Sequence, residues 1–267
     1  MPRELEDVLH YFLPGAEAEP HREPRGDDGP PHEDVARPVA LPILTLPVAG
    51  RDVVRAAFAW NLTVELTRLG APTTLIAPRD PAVAPLWPDA GPGPMGVAVE
   101  YVRASDAAAL GHAAVDAAVR GAVEGTGEGV VAVCVPPAWL LRHRAVRPLL
   151  HWMLLLSTPE SRDLLEAYAL AKCAYRRGSD PLVGLVVHGV RRMRDAARAF
   201  ERVAEVAVRH LGHSPVSYGL LADDLHVYRA IASRRPIGLE HPQSRAARAL
   251  RDVARMVLED SRKMSIV

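Results

Sequence analysis

The sequence contains few cysteines and few lysines, and each shortage limits the classes of function that the protein can have. Cys134 and Cys173 are its 2 cysteines, and they form no C-x-x-C pair, so neither a disulfide framework nor a cysteine-ligated metal is predicted. Such sparse cysteine fits a reducing, cytoplasmic setting. Lys172 and Lys263 are the only lysines, so arginine carries nearly all of the positive charge. Together with abundant alanine and proline, this bias is typical of a GC-rich bacterial genome.

The sequence also lacks net charge, long apolar runs and the motifs of metal sites. Lys+Arg and Asp+Glu both number 32 among 267 residues, which gives no overall reason to expect nucleic acid or a membrane surface as the partner. No apolar run approaches the roughly 20 residues that a spanning helix needs. The acidic start, MPRELEDVLHYF, lacks a signal-peptide pattern, and the histidines show no H-E-x-x-H or Cys/His spacing. We therefore expect no bound metal and no stable membrane insertion.

The first 38 residues are expected to lie outside the folded domain. In residues 1–13, Leu5, Leu9 and Phe12 recur at helical spacing and predict a short amphipathic helix, which is too short to be stable alone. Residues 14–38 are rich in proline, glycine and charge, so they are predicted to be a disordered linker. A short helix on such a tether predicts docking onto a protein partner. The alternative is that the helix packs back onto its own domain.

Residues 39–260 alternate between apolar strands and helices, and residues 261–267 form a short tail. The predicted strands are 42–47, 73–77, 96–102, 129–135, 152–157, 182–188 and 216–221. The predicted helices are 52–69, 105–123, 144–151, 159–176, 193–211, 226–233 and 244–260. Strands that alternate with helices predict a three-layer α/β fold, in which helices flank a mostly parallel sheet.

The first strand, loop and helix, residues 41–70, have the layout of a phosphate-binding unit. In such a unit the backbone N–H groups of the loop and the positive end of the helix point at the phosphate. A phosphate loop reads G-x-x-x-x-G-K-[ST], whereas residues 49–56 read AGRDVVRA. Val54 replaces the second glycine, Arg55 replaces the lysine, and Ala56 replaces the hydroxyl that would hold magnesium. The strand–loop–helix layout is retained, whereas the residues that would bind phosphate and magnesium are replaced.

Several segments, in the same order along the chain, resemble the MinD/ParA family of deviant P-loop ATPases, especially its flagellar-number branch (FlhG-like). The matching segments are Asn61-Leu62 with Gly70, LLLSTPE at 154–160 with the helix 164–173, LVGLVVH at 182–188, YGLLADD at 218–224, Pro236, and Pro242-Gln243-Ser244. The resemblance covers about residues 41–260. It implies a P-loop NTPase-like fold, and it implies the dimerisation and partner surfaces of that family.

The departures from the family fall on its nucleotide site. By the resemblance, the signature lysine would stand at Gly50, the loop lysine at Arg55 and the magnesium-side aspartate at Cys134, while the adenine-reading asparagine would stand at His188. Phosphoryl transfer depends on lysine, metal and a positioned carboxylate, so their concerted loss predicts a pseudo-ATPase without a cofactor or catalytic residue. The vestigial nucleotide-site positions are Gly50, Arg51, Asp52, Arg55, Ala56, Cys134 and His188.

Alternatives remain for several of these residues. Arg51 and Arg55 could still hold ATP or ADP by bidentate contacts, with Asp80 or Asp52 as the magnesium-side acid, or they could pair with nearby acids. His188 could bind a base or be a core or rim histidine, and Cys134 is expected to be an inert buried thiol.

Clusters of arginine raise two further alternatives. Residues 142–147 and 191–194 could contact DNA or an acidic partner, although a solvated helix face is the default. The arginines of the last helix could lie on a membrane surface, although that helix also has the pattern of a closing core helix. The sequence therefore predicts a catalytically degenerate MinD/ParA-like scaffold or regulator of flagellar, polar, division or segregation machinery. An unusual ATPase and a DNA-binding module are the alternatives, and a homodimer is allowed.

Overall fold

The computed structural model describes residues 40–49, 52–79, 90–125, 128–142 and 147–264. The predicted docking helix with Leu5, Leu9 and Phe12 lies outside the described residues, as does the predicted linker. Gly50, Arg51 and Asp80 also lie outside them.

The described residues form one twisted sheet of eight strands. They are β1 Ile43–Pro47, β2 Thr73–Pro78, β3 Gly91–Pro92, β4 Ala98–Val102, β5 Val130–Val135, β6 Trp152–Ser157, β7 Leu182–Val190 and β8 Val216–Ala222. Their order across the sheet is β3-β4-β2-β5-β1-β6-β7-β8, and every neighbouring pair is parallel except β3 with β4. The predicted mostly parallel sheet is therefore confirmed. The central strands β5 and β6 are buried along their whole length, as parallel strands covered on both faces must be.

Helices cover both faces of this sheet. They are α1 Val53–Arg68, α2 Ala107–Glu124, α3 Pro137–Arg142, α4 Arg147–Leu150, α5 Ser161–Arg177, α6 Met193–Leu211, α7 Leu225–Ser233, α8 Ile237–Glu240 and α9 Arg245–Met264. Right-handed crossovers place α1 on one face, where it packs against α9, and place α2, α5 and α6 on the other. The predicted three-layer α/β architecture is confirmed.

The chain reverses its direction across the sheet at β1. From β1 the connection runs through α1 to β2 on one side, whereas from β6 it runs through α5 to β7 on the other side. The loops after β1 and β6 therefore diverge, and they leave a crevice at the carboxyl ends of these strands. Such a crevice is where open α/β sheets bind their ligands.

The differences from the predicted elements are short and have local causes. Of the predicted helix 144–151, residues 147–150 form α4, and residues 144–146 lie outside the described residues. A separate helix, α3, precedes α4 and begins at Pro137, since proline is tolerated at the first helical position. The two-residue strand β3 and the four-residue helix α8 are too short to produce a periodic pattern. The last helix was predicted to end at residue 260, but it continues to Met264.

Candidate functional site

The crevice at β1 is organised by the start of α1. Asp52 caps this helix, and its Oδ1 accepts a hydrogen bond of 3.0 Å from the backbone N–H of Arg55. The same aspartate lies beside the Arg55 side chain, with 3.2 Å between Oδ2 and Nε. Asp52 is thus engaged in capping the helix and in pairing with its arginine.

Arg55 is buried inside a cage of carboxylates. Its side chain is 7 % exposed, and its Nη1 donates a hydrogen bond to Oε1 of Glu166. Its Nη2 lies 3.7 Å from Oδ1 of Asp163. With Asp52, three acids surround one guanidinium, so the charge of Arg55 is already neutralised by the protein itself. The sequence alternative in which Arg55 pairs with nearby acids describes this arrangement.

The two acids from α5 are held in place by the turn that precedes this helix. The hydroxyl of Thr158 donates a hydrogen bond of 2.7 Å to Oδ2 of Asp163 and accepts one of 3.2 Å from the backbone N–H of Glu160. Asp163 lies in the first turn of α5, where the helix dipole favours a negative charge. Glu166 follows one turn later and therefore points the same way.

His188 is a half-buried residue of β7 on the border of this cluster. Burial lowers its pKa, and the positive charge of Arg55 lowers it further, while Asp52 and Asp163 act in the opposite direction. Because the net shift is downward, the imidazole is neutral near pH 7. A neutral imidazole can donate one hydrogen bond and accept another.

Beside His188 a cleft with a cavity of about 70 Å³ opens between α1, α7 and the ends of β6, β7 and β8. Most of the side chains that line it are apolar, including Val54, Phe58, Leu156, Leu221, Val227 and Leu250. Among the described residues that line it, none is an arginine or a lysine. The cleft therefore suits an apolar group and offers no cation to a phosphate.

Two polar residues at this cleft have structural partners. The side-chain carbonyl of Asn61 accepts a hydrogen bond of 2.6 Å from the N–H of Ile237, and its amide donates one of 2.7 Å to Ala57, so it ties α1 to α8. Asp224 accepts hydrogen bonds from the N–H groups of His226 (3.0 Å) and Ala246 (3.3 Å). Burial would raise the pKa of Asp224, but these bonds and the His226 ring outweigh it, so the pKa falls.

Two further predicted site positions that the structure describes are Ala56 and Cys134. Ala56 is buried in α1, and Cys134 is 2 % exposed in β5. Burial raises the pKa of the Cys134 thiol far above its usual range, so this side chain stays protonated near pH 7. Of the predicted positions that the structure describes, Asp52, Arg55 and His188 are the ones it brings together. Sequence reasoning did not single out Asp163 and Glu166, because their approach to α1 depends on the order of the strands.

The arginine clusters have different environments. Arg142, Arg147, Arg191, Arg192 and Arg194 are exposed, while His143 and Arg144 lie outside the described residues. On α9 the apolar side is buried against β8 and α1, so it is not available to a membrane surface.

Within the described part of the chain, no helix is both long and apolar enough to cross a membrane. In the same part, no group of His, Cys, Asp and Glu side chains is arranged to hold a metal ion.

Comparison with solved structures identifies the fold. A chain of the MinC:MinD cell division protein complex of Aquifex aeolicus has a TM-score of 0.56 at 14% identity, over 82% of this chain and 96% of that chain. The cell division ATPase MinD of Pyrococcus furiosus gives 0.55 at 16% identity, over 82% and 98%. A ParA family ATPase of Chlorobium tepidum gives 0.54 at 13% identity, over 80% and 98%. No protein-family model and no curated protein matches the sequence.

Proposed function

Because the chain has a MinD/ParA-like fold, we propose that it is a catalytically degenerate protein of this type. It acts as a cytosolic scaffold or regulator in spatial organisation, in flagellar, polar, division or segregation machinery. It binds a protein partner, and a homodimer is the expected assembly. The solved structures that share the fold include proteins of cell division, which supports this class of process.

The observation that carries the proposal is the acid cage around Arg55. A triphosphate would have to displace Glu166, Asp163 and Asp52 from the guanidinium, and it would then lie among three carboxylates. Like charges at such distances repel by about 1 kcal/mol in water and several times more in partly buried surroundings. The cage therefore supplies internally the negative charge that a nucleotide would otherwise bring.

The residues do not fit a magnesium triphosphate in other respects either. Ala56 has no hydroxyl to offer a metal, and the Cys134 thiol is buried and neutral. Val54 has a side chain where a phosphate loop has glycine, and it lines the cleft. Since phosphoryl transfer is mostly positioning and charge stabilisation, no hydrolytic step is assigned to this site.

An ATP hydrolysis assay on the full chain tests the proposal. Wild type is expected to show no magnesium-dependent turnover above a buffer blank. Arg55→Ala is the informative variant, and Arg248→Ala, at an exposed position on α9, is its matched control. Turnover in wild type and in Arg248→Ala that disappears in Arg55→Ala would overturn the proposal.

A second candidate is a nucleotide-binding protein with unusual ligands. It is favoured by the apolar cleft beside α1, which opens next to His188. In that case ATP or ADP at a hundredfold excess over Kd would stabilise the fold by about 2.7 kcal/mol. The absence of any shift in Tm with millimolar nucleotide would remove this candidate.

A further inference from the structure

We infer that the cleft between α1 and α7 is the docking site of the chain's own residues 3–13. The sequence leaves two destinations for this segment, another protein or its own domain, and the surface around the cleft points to the second. This inference goes beyond the proposed function. It depends on the cleft and not on the acid cage, so its failure would leave the loss of ATPase activity untouched.

The apolar surface continues from the cleft onto α7. This helix buries one of its nine residues, Ala230. Leu225 is 72 % exposed and Tyr228 is 53 % exposed, and their i, i+3 spacing places them on one face of the helix. Tyr228 also lines the cleft, so the cavity and the exposed face form one continuous apolar groove. Such a groove on a soluble domain usually marks a binding surface.

The N-terminal segment has a matching pattern. The spacing of Leu5, Leu9 and Phe12 would place them on one side of a helix, as in peptides that lay an apolar helical face into a groove. The cavity of about 70 Å³ is smaller than the roughly 150 Å³ that encloses a benzene, so it would take only the edge of one side chain, and the aromatic ring of Phe12 is the largest on that face. Leu5 and Leu9 would then cover Leu225 and Tyr228.

Charge differs between the two surfaces. The segment carries Glu4, Glu6 and Asp7 against Arg3. Exposed arginines stand close to the groove along the chain, Arg191 and Arg192 directly after β7 and Arg229 directly after Tyr228. Asp223 and Asp224 also line the cleft, where Asp223 lies 4.0 Å from Arg191 and Asp224 contacts His226. Arg192 and Arg229 are therefore the cations toward which the acidic side of the segment is expected to face.

The connecting chain is long enough to reach the groove. The described chain starts at Ala40, at the amino end of β1, and the groove is at the carboxyl edge of the sheet. The 5 residues of β1 span roughly 17 Å, whereas residues 14–39 can extend to roughly 85 Å. Tethering also supplies a millimolar effective concentration, so weak apolar contacts are enough to dock the segment on its own domain.

Hydrogen exchange on the full chain tests the docking. In wild type, amides of residues 3–13 are expected to exchange at least about tenfold more slowly than in the double variant Leu9→Asp/Phe12→Asp. The groove-side variant Leu225→Asp/Tyr228→Asp is expected to cause the same loss of protection. Both of its positions are exposed, so the fold is not at risk. Val123→Asp, at a 75 % exposed position on α2 on the opposite face, is the matched control and is expected to retain protection.

Three outcomes would overturn the inference. The first is rapid exchange of residues 3–13 in wild type. The second is protection that survives Leu225→Asp/Tyr228→Asp. The third is protection that increases with protein concentration, or chemical cross-links from the segment to α7 that join isotopically heavy and light copies, because either result assigns the groove to a second copy.

Discussion

Nη1 of Arg55, in the first turn of α1, donates a hydrogen bond to Oε1 of Glu166 on α5, which joins the two helices that diverge at the switch point of the sheet. In a phosphate-binding protein of this architecture, the corresponding cation would face an open loop and a bound anion. Here it faces a carboxylate from the same chain. The proposed loss of nucleotide binding depends on this pair.

Removal of the buried cation should destabilise the fold. In Arg55→Met, Asp52, Asp163 and Glu166 remain close together without a counter-charge, and the free energy of unfolding is expected to fall by about 2 kcal/mol, less than for a deeply buried pair because the acids are partly exposed. Urea denaturation measures this change. Arg248→Met, at an exposed position, should stay within about 0.5 kcal/mol of wild type. An equally small effect of Arg55→Met would show that the cage contributes nothing.

Neutralising the cage should open the site to anions. In Asp163→Asn/Glu166→Gln the guanidinium of Arg55 loses two of its three acidic partners, and arginine binds phosphate well when unpaired. Inorganic phosphate at millimolar concentration is expected to raise the Tm of this variant and to leave wild type unchanged. Asp195→Asn/Glu201→Gln on α6, away from the cage, is the matched control. If phosphate left the Tm of this variant unchanged, the acids would not be acting as an internal substitute for phosphate.

The junction of α1, α8 and α9 should not tolerate a side chain at Gly238. A Cβ there would overlap Oε1 of the buried Glu65. This Oε1 lies 2.7 Å from Arg68 Nη1, and Oε2 of the same carboxylate lies 3.6 Å from Arg251 Nε. Gly238→Ala is therefore expected to lower the free energy of unfolding by about 2–4 kcal/mol.

Gly212 provides the control for that substitution. Its φ is 72° and nothing lies within 4 Å of an added Cβ, so Gly212→Ala should cost only the backbone strain, about 1 kcal/mol. Chemical denaturation of both variants separates the two effects. Equal losses would mean that Glu65 moves aside without cost.

His188 should make stability depend on pH. Its pKa lies below the ordinary 6.5, so the unfolded chain binds this proton more readily than the folded one. The stability that this residue contributes is present above about pH 6.5 and is lost as the pH falls below it, by at most about 1.4 kcal/mol per pH unit. Asp52, Asp163 and Arg55 face the ring and remain in both proteins compared, so their own titration largely cancels.

The comparison is between wild type and His188→Gln, unfolded with urea at about pH 7.5 and at about pH 5.5. Wild type is expected to lose more stability than the variant between these values. Parallel losses would show that the imidazole has an unperturbed pKa in the folded protein.

The sheet could be predicted from the sequence because its central strands are covered on both faces. The unbroken apolar runs at β5 and β6 could not be amphipathic helices, and β6 was predicted to the residue. Helix α6 was also predicted to the residue, because its polar face is regular and Gly212 ends it in a left-handed conformation. These signals are local, so a single sequence carries them.

The acid cage could not be predicted from the sequence in the same way. Arg55 stood out because it replaces a lysine in a familiar pattern, but Glu166 lies 111 residues away and sits on an ordinary helical face. Glu166 reaches Arg55 because β6 lies next to β1, and the alternation of strands and helices does not specify that β6 has this neighbour. Asn61 shows the same limit, since its partner Ile237 is in a helix too short to be predicted.

Titration calorimetry of the wild-type chain with magnesium and ATP tests the central claim most directly. The claim is that carboxylates of this protein occupy the place of the phosphates, so millimolar magnesium and ATP should produce no saturable heat. Saturable binding that requires magnesium and is lost in Arg55→Met would contradict it, because Arg55 would then be holding a nucleotide.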